Sequence, residues 1–371
     1  MNKSEIKDRV QRNGLNKWFQ AGQRGTLEYC TGVGKSRCGV LASSWLANKV
    51  DRDSKILIIT PTQTIRDSAW IDEFKKWGEK NTLKRNVHIV CIQTAYKWTD
   101  HEYDLVICDE VHNYLSEEYF KFFQNNTCTR VLGLSASINY EQRVMLNKIA
   151  PVVDAITTNT ARKLGLVSDF KIINLGIELT EEERKSYDHY SIIIGKNADR
   201  GFTDWKTINL RKNVLYNAVN KVKAVKSIHS LMEDQYGVIF SQSTEFANKV
   251  STVIGDSCLA YHSKLTKKKR EENLKKFCDG RTKVNVLSTA RALDEGANLP
   301  RVTFAIIAAG TSKEKSQIQR LGRIIRYEDD KEALLIRLYA KGTKDEQWLK
   351  SSQWRYETVY IDEPNEILDY A

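Results

Sequence analysis

The chain has 371 residues, of which 41% are apolar and 28% charged, a globular composition that excludes a collagen-like or disordered protein. The length predicts two domains, and a formal net charge of +11 suits a polyanionic partner such as nucleic acid. No apolar run reaches the ~18 residues of a membrane span and the first residues lack a secretory core, so we expect a cytoplasmic protein without membrane association, in the host cytoplasm if it is viral.

Short apolar runs rich in β-branched residues recur along the chain, each followed by a longer stretch of helical character. In the first half they are GTLEYC (25–30), KILIIT (55–60), HIVCIQT (88–94), DLVICDE (104–110) and RVLGLSAS (130–137). In the second half they are YGVIFS (236–241), CLAYHS (258–263), KVNVLST (283–289), VTFAIIA (302–308) and ALLIRLYA (333–340). This alternation predicts an α/β fold with two parallel sheets covered by helices. Ligands of such sheets bind at the carboxyl ends of the strands.

The segment between the two series contains a predicted strand, IINLGIEL (172–179), followed by a helical run. Thr180 and Glu183 have the spacing of a capping box, which predicts that this helix begins near Thr180. The change of domain falls near 158–170. We set the two domains at residues 1–160 and 161–371.

The seven cysteines form no CxxC pair, and Cys91 and Cys108 fall in predicted buried strands. We therefore expect reduced thiols and no zinc site. The basic stretch KLTKKKREENLKKF (264–277) is interpreted as a solvated helix face, with a contact to nucleic acid as the alternative.

A glycine-rich segment, TGVGKSR (31–37), follows the first predicted strand and precedes a helical run. Such a turn lets backbone N–H groups and a helix N-terminus surround phosphate, while a lysine adds charge and a hydroxyl ligates Mg²⁺. The strict pattern has glycine where this chain has Tyr29, so a turn without a ligand is the alternative for this segment alone. The predicted nucleotide-binding residues are Thr31, Gly32, Val33, Gly34, Lys35 and Ser36.

Two carboxylates, Asp109 and Glu110, end the apolar run DLVICDE, where burial would otherwise make them costly. Asp109 can hold Mg²⁺ through water, and Glu110 can orient and deprotonate a water that attacks a phosphate. A solvated loop start is the alternative for an acidic pair, but its position after the GKS turn favours phosphoryl transfer. We therefore predict ATP and Mg²⁺ as cofactors, with Ser36 and Asp109 on the metal.

These two segments resemble motifs I and II of the superfamily 2 helicases, in the DExH form Asp109-Glu110-Val111-His112. The resemblance implies two tandem RecA-like domains with an ATP site in the cleft between them, and a nucleic-acid-dependent ATPase activity. Upstream, RVQRNGLNKWFQAGQRG (9–25) is similar to the adenine-recognising segment of that superfamily. It makes Gln11 the residue that reads the adenine edge, since an amide both donates and accepts.

Further motifs of the superfamily follow in the same order. TPTQTIRDSAWIDEFKKWG (60–78) resembles motif Ia, Ser135-Ala136-Ser137 resembles motif III, and GVIFSQST (237–244) resembles motif IV. LSTARALDEGANLP (287–300) resembles motif V, with Asn298 where the family often has Asp. The resemblance assigns nucleic-acid contacts to Pro61, Thr62, Thr94, Ser241 and Thr289. It assigns coupling roles to Ser135, Ser137, Gly296 and Gln319.

The segment QIQRLGRIIRY (317–327) resembles motif VI. Arg323 and Arg326 are three residues apart and would project from one face of a helix. The resemblance makes both arginines catalytic together with Glu110, because an arginine at the departing γ-phosphate contributes roughly 10³–10⁵ in rate. A structural pair of salt bridges is the alternative.

The details RGTL before motif I, ALDEG in motif V and GRIIR in motif VI are most similar to one group within the superfamily. It contains phage branch-migration helicases, repair and transcription translocases and restriction-enzyme motor subunits. The similarity implies a helicase or translocase that acts on forked, branched or duplex DNA rather than RNA, as a monomer or part of a larger complex. A non-unwinding ATP-gated clamp and a motor subunit of a nuclease are the alternatives. Trp205 is a candidate for strand separation, although core packing is the favoured interpretation.

Overall fold

The computed structural model describes residues 2–63, 65–166, 170–290, 299, 302–309, 333–351 and 358–370. The chain divides into two compact units, Met1–Val167 and Ser168–Ala371. Each unit is a parallel sheet covered by helices, which confirms the predicted fold class. Within the described ranges, no helix combines the length and the apolar character that crossing a membrane requires.

The sheet of the first unit is buried on both faces. The strands of this unit are β1 (Arg24–Tyr29), β2 (Ile56–Thr60), β3 (Val87–Cys91), β4 (Glu102–Tyr103), β5 (Leu105–Asp109), β6 (Thr127–Cys128), β7 (Val131–Ser135) and β8 (Val152–Ile156). The main sheet has the parallel order β3-β2-β5-β7-β1-β8, and β4 pairs with β6 separately. Every residue of β2, β5 and β7 is buried, as strands covered by helices on both sides require.

In the first unit α1 precedes β1, and the other helices come after strands. The helices are α1 (Lys3–Gln20), α2 (Lys35–Trp45), α3 (Trp70–Lys76), α4 (Lys80–Asn86), α5 (Ile92–Ala95), α6 (Glu117–Asn125), α7 (Tyr140–Leu146) and α8 (Thr158–Lys163). A π-helical turn over Leu46–Val50 extends α2, another over Ile65–Ala69 precedes α3, and a 3₁₀ turn over Val111–Tyr114 follows β5.

One local prediction in this unit is wrong, and one strand is not predicted from the sequence. The sequence predicts a strand through residues 92–94, but they are helical, because pairing with β2 ends at Cys91 and a helix buries both Ile92 and Ala95. Strand β8 is not predicted, since Asp154 interrupts its apolar pattern. Asp154 is accommodated because its carboxylate accepts from Lys17 Nζ at 2.6 Å and from Tyr29 Oη at 2.5 Å.

The second unit repeats the architecture with a seven-stranded sheet. Its strands are β9 (Phe170–Ile177), β10 (Tyr236–Ser241), β11 (Cys258–His262), β12 (Val286–Ala290), β13 (Val302–Ile307), β14 (Ala333–Ala340) and β15 (Thr358–Ile361), in the parallel order β11-β12-β10-β13-β14-β9-β15. Its helices are α9 (Glu181–Asp199), α10 (Trp205–Tyr216), α11 (Val219–Leu231), α12 (Thr244–Ile254), α13 (Lys267–Asp279) and α14 (Lys344–Ser351).

Two helix predictions in this unit are confirmed. Thr180 and Glu183 form the predicted capping box at the start of α9: the Thr180 side chain accepts from Glu183 N, and Thr180 N donates to Glu183 Oε2 at 3.0 Å. Helix α13 carries ion pairs along its own surface, including Lys276 to Glu272 at 2.9 Å, and buries Phe277. The predicted helix is therefore present with an exposed charged face, and a contact of this basic stretch with nucleic acid stays a prediction.

A fully buried ion pair joins four elements of the second unit. Lys221 of α11 is 0% exposed, and its Nζ donates to Ala308 O at 2.9 Å and to Asp345 Oδ2 at 2.5 Å. The same carboxylate oxygen accepts from Ala340 N at 3.1 Å. Because the charges are hydrogen-bonded to one another and to backbone, the pair fixes α11 and α14 against the carboxyl ends of β13 and β14.

Removing one partner of this pair should destabilise the protein strongly. Lys221→Met leaves Asp345 buried without its cation, and we expect the free energy of unfolding to fall by about 3–5 kcal/mol. Urea denaturation followed by circular dichroism measures the change. The control is Lys249→Met, which removes an exposed pair with Glu245 (2.8 Å) and should cost less than about 1 kcal/mol. Equal losses in the two variants would contradict the structural role of Lys221.

Candidate nucleotide site

The glycine-rich turn lies between the end of β1 and the start of α2. Gly32 and Gly34 have φ angles of 98° and 90°, in the left-handed region that glycine adopts without strain. A Cβ atom at Gly34 would also collide with Gln11 Nε2. Helix α2 begins at Lys35, so its first backbone N–H groups, those of Lys35 and Ser36 among them, lie at the end of the turn. The structure thus gives this segment the geometry of a phosphate-binding loop.

Tyr29, which replaces the first glycine of the strict pattern, is a core residue. Its ring is fully buried and its hydroxyl donates to Asp154 Oδ2 at 2.5 Å. Burial, and then the neighbouring carboxylate, raises the pKa of Tyr29 far above its ordinary value, so the group stays a donor. Gly14 provides the space, because a Cβ there would overlap the hydroxyl. The backbone carbonyl of Tyr29 still faces the loop and accepts from Lys35 Nζ at 3.0 Å.

Gln11 lies on α1 and contacts the loop directly. Its Nε2 donates to Val33 O at 2.7 Å and to Gly34 O at 3.3 Å, and its Oε1 accepts from Arg37 at 2.5 Å. The guanidinium of Arg37 also pairs with Asp8 and lies 4.1 Å over the ring of Trp77. The sequence predicts an adenine-reading role for Gln11, which stays a prediction. It does not predict the contact of Gln11 with the loop backbone or the part played by Arg37.

Asp109 ends β5 in a buried position. Trp70 Nε1 donates to Asp109 Oδ2 at 2.9 Å. Burial, and then the charge of Glu110, raises the pKa of Asp109 to about 7. The hydrogen bond from Trp70 and the positive charge of Lys35 oppose this rise. Lys35 of the loop is therefore near enough to Asp109 for its charge to act on the carboxylate, while their joint role at a nucleotide stays a prediction.

Trp70 is a site residue that sequence reasoning missed. It begins α3 and is almost fully buried against α2, where Gly39 leaves room for its ring. A Cβ at Gly39 would lie 2.6 Å from the indole carbon Cη2 of Trp70. The sequence could have indicated a tryptophan here. An aspartate at a buried strand end needs a hydrogen-bond donor, and an indole N–H can only donate.

Glu110 has a strained backbone and an unsatisfied side chain. Its φ of 51° lies in the left-handed region, which costs a residue with a Cβ about 1–3 kcal/mol. Among the described residues its Oε2 atom is buried without a hydrogen-bond partner. His112 Nδ1 lies 3.4 Å away, but that nitrogen is hydrogen-bonded to Ser135 Oγ at 2.8 Å. Strain of this kind is typical of functional positions.

A magnesium nucleotide fits the residues that the fold collects here. The loop and Lys35 would hold the phosphates, and Ser36 and Asp109 would hold Mg²⁺, the aspartate through water. Bound Mg²⁺ would supply the positive charge that keeps the buried carboxylate ionised. The unsatisfied oxygen of Glu110 is an acceptor for the proton of an attacking water.

A hydrogen-bonded chain runs from His112, which follows the acidic pair, to β7. His112 Nδ1 and Ser135 Oγ are 2.8 Å apart, and Ser135 Oγ donates to Ser137 O at 3.0 Å. Gln142 of α7 adds a bond from its Nε2 to His112 O at 3.3 Å. The predicted coupling residues Ser135 and Ser137 therefore lie close to the acidic pair, while their coupling role stays a prediction.

The predicted nucleic-acid residues of the first unit lie at the carboxyl ends of β2 and β3. Pro61 O accepts from Gln93 Nε2 at 3.1 Å, which joins the two strand ends. Thr94 on α5 is exposed. The hydroxyl of Thr62 is buried and has no partner in the described part of the chain.

The predicted nucleic-acid residues of the second unit lie at the ends of neighbouring strands. Ser241 and Thr289 are both almost fully buried, and Ser241 Oγ lies 3.0 Å from Thr289 O. Their hydroxyls reach a ligand only if this end of the sheet opens. The predicted residues Gly296, Asn298, Gln319, Arg323 and Arg326 lie outside the described residues.

Two segments of the chain match models of known protein families. Residues 5–140 match the family described as type III restriction enzyme, res subunit, and residues 220–328 match the helicase conserved C-terminal domain. The chain is also similar to the DNA 3′-5′ translocase XPB2 of Sulfurisphaera tokodaii, with 27% identity over 92% of this chain and 83% of the relative.

Solved structures share the fold at low sequence identity. Saccharomyces cerevisiae Dbp5 bound to RNA and ADP BeF3 matches with a TM-score of 0.70 and 15% identity over 97% of this chain and 91% of that chain. The Pyrococcus furiosus Hef helicase domain matches with a TM-score of 0.58 and 15% identity over 91% of this chain and 96% of that chain.

Binding of ATP and GTP can distinguish the observed contact of Gln11 with the loop from its predicted contact with adenine. Gln11→Ala removes the hydrogen bonds to the loop, which should weaken ATP and GTP alike by about fivefold. Loss of the predicted adenine contact should weaken ATP about tenfold more. Isothermal titration calorimetry with both nucleotides measures the difference, and Gln20→Ala, on the exposed end of the same helix, is the control. An equal loss for ATP and GTP would leave Gln11 with the loop contact alone.

Proposed function

The chain belongs to the superfamily 2 helicases and is a nucleic-acid-dependent ATPase, and from this premise we propose that it is a translocase that moves along DNA. ATP hydrolysis would drive alternating tight and loose contacts with the sugar-phosphate backbone. Such contacts carry no base readout, so movement should be independent of sequence.

The observation that carries the proposal is the acidic pair at the end of β5. The charge of Lys35 acts on Asp109, and Glu110 keeps a buried oxygen without a hydrogen-bond partner among the described residues. A pair that only stabilised the fold would have its oxygens satisfied, as the Lys221–Asp345 pair does. We assign Asp109 to Mg²⁺ and Glu110 to the attacking water. Arg323 and Arg326 would stabilise charge on the departing phosphate.

DNA is the proposed substrate because the similar XPB2 protein is a DNA translocase and the matching res-subunit family belongs to restriction enzymes. RGTL before motif I, the ALDEG form of motif V and GRIIR in motif VI favour the same group, which includes phage branch-migration helicases. We also propose the 3′ to 5′ direction of that relative. The net charge of +11 suits either nucleic acid, so it does not distinguish DNA from RNA.

Two other functions use the same ATPase site. An ATP-gated clamp would hydrolyse ATP and hold nucleic acid without moving. A motor subunit of a nuclease or restriction complex would move and depend on a partner for cleavage. The family match to the res subunit favours the second over the first.

The acidic pair and the loop can be tested by substitution. Glu110→Gln keeps the shape but removes the base, so the rate of DNA-stimulated ATP hydrolysis should fall by about 10²–10⁴ while ATP still binds. Lys35→Ala should abolish both hydrolysis and tight ATP binding. Phosphate release and nucleotide titration measure the two effects. Glu117→Gln on the exposed start of α6 is the control, and rates in Glu110→Gln like those of the wild type would refute the assignment.

The substrate can be tested by ATPase stimulation. We expect the rate to rise with single-stranded, duplex or forked DNA well above the rate with RNA of equal length, measured at one salt concentration because backbone binding depends on salt. Equal or greater stimulation by RNA would contradict the assignment to DNA while leaving the ATPase intact.

A further inference from the structure

Helices α9 and α10 form a hairpin in the second unit. The turn between them is ordered by Asp204, whose carboxylate accepts from Thr207 N at 3.1 Å and from Thr207 Oγ1 at 2.6 Å. Phe202 N donates to Asn197 O at 2.9 Å. The hairpin therefore has a defined tip.

The tip exposes two aromatic rings. Phe202 is 61% exposed and Trp205 is 67% exposed, so the expected core packing of Trp205 is wrong. The indole lies outside the core because it begins α10 next to a turn whose remaining residues are also mostly exposed. The exposed Arg200 and Lys206 lie near the rings, and Asp199 and Asp204 of the same segment carry an equal negative charge. The exposed rings themselves are the platform on which a base can stack.

The same helix lines a groove with a volume of about 650 Å³. Its other wall consists of residues that follow β10 and β11, together with Ala290 at the end of β12, at the carboxyl edge of the sheet. The groove residues that bear on its chemistry are Asn209, Lys212, Asn213 and Tyr216 of α10, with Gln242 and Lys264 opposite.

The chemistry of the groove suits a phosphate backbone. Lys212 and Lys264 supply two cations, and the amides of Asn209 and Asn213 can donate and accept hydrogen bonds. None of its lining residues that the structure describes is acidic. A ligand of negative charge is therefore favoured over a peptide of mixed charge or an apolar ligand.

The aromatic tip and the groove lie along one face of the helix. Trp205, Asn209, Lys212 and Tyr216 are spaced i, i+4, i+7 and i+11, which places them within one stripe of α10. A rise of about 1.5 Å per residue makes this stripe ~16 Å long. At roughly 3.4 Å per stacked nucleotide, it spans about five nucleotides of a single strand.

We propose that the α10 stripe, from Trp205 to Tyr216, is a binding site for single-stranded nucleic acid. Phosphates contact Lys212 and Lys264, and one base stacks on Trp205 at the tip of the hairpin. The site rests on the proposed function. One wall of its groove includes Gln242 of motif IV, whereas the α10 residues and Trp205 lie outside the motifs that carry the resemblance. A base held at the tip gives a protein of this size a means to keep a separated strand away from its complement.

The test measures binding of a fluorescein-labelled 20-nucleotide thymidine homopolymer to the full chain by anisotropy over a series of salt concentrations. Trp205→Ala should weaken binding by roughly five- to a hundredfold, and Trp205→Phe should restore most of the affinity because the ring still stacks. Ile192→Ala, which removes an exposed apolar side chain of the same hairpin, is the control and should bind as the wild type does.

The lysines have a separate readout. The double variant Lys212→Ala, Lys264→Ala should reduce the slope of log affinity against log salt by about 1.4, or about 0.7 for each phosphate that is no longer neutralised. Lys249→Ala on α12 should leave the slope unchanged. Wild-type affinity in Trp205→Ala together with an unchanged slope in the double variant would overturn the site, while DNA-stimulated ATP hydrolysis in the same wild-type protein would leave the proposed function standing. A wild-type chain that binds no oligonucleotide would overturn both.

Discussion

Two adjacent carboxylates at the buried end of a strand need a compensating cation or donor, and the first unit is arranged around that need. Trp70 donates to Asp109, Lys35 lies close enough to lower the pKa of Asp109, and Gly39 allows Trp70 to approach. These contacts do not satisfy Glu110, whose backbone is also strained. The acidic pair therefore still lacks a positive charge and a hydrogen-bond donor for Glu110. This is the physical basis for assigning a magnesium nucleotide to the site, because a metal ion and its bound water supply both.

In the second unit, by contrast, the buried carboxylate is fully paired. Its buried carboxylate, Asp345, pairs with Lys221 and with backbone, so nothing is left for a ligand. Both units thus place charge at the carboxyl end of a parallel sheet, where loops can open toward a ligand. In the first unit we propose that the charge acts on a bound nucleotide, and in the second it fixes elements of the fold. The groove beside α10 lies at that same edge of the second sheet.

Much of the fold could be predicted because β-branched runs alternate with helical stretches, a pattern typical of parallel sheets covered by helices. Lys35 and Asp109 could be predicted to meet because both follow strands of one sheet, whose carboxyl ends share an edge. The role of Tyr29 could not, since its buried position depends on Gly14 and Asp154, which are distant in sequence. The exposure of Trp205 could not be predicted either. An aromatic residue is expected in the core unless its tertiary neighbours are known.

Displacement of a third DNA strand from a duplex measures movement most directly, because release requires the protein to travel along the duplex without separating it. A triplex is placed on a duplex with a single-stranded extension, and release of the labelled third strand is followed with time. We predict release that requires ATP, is absent in Glu110→Gln, and depends on the polarity of the extension as 3′ to 5′ movement demands. DNA-stimulated ATP hydrolysis without release from either polarity would contradict translocation and identify a clamp.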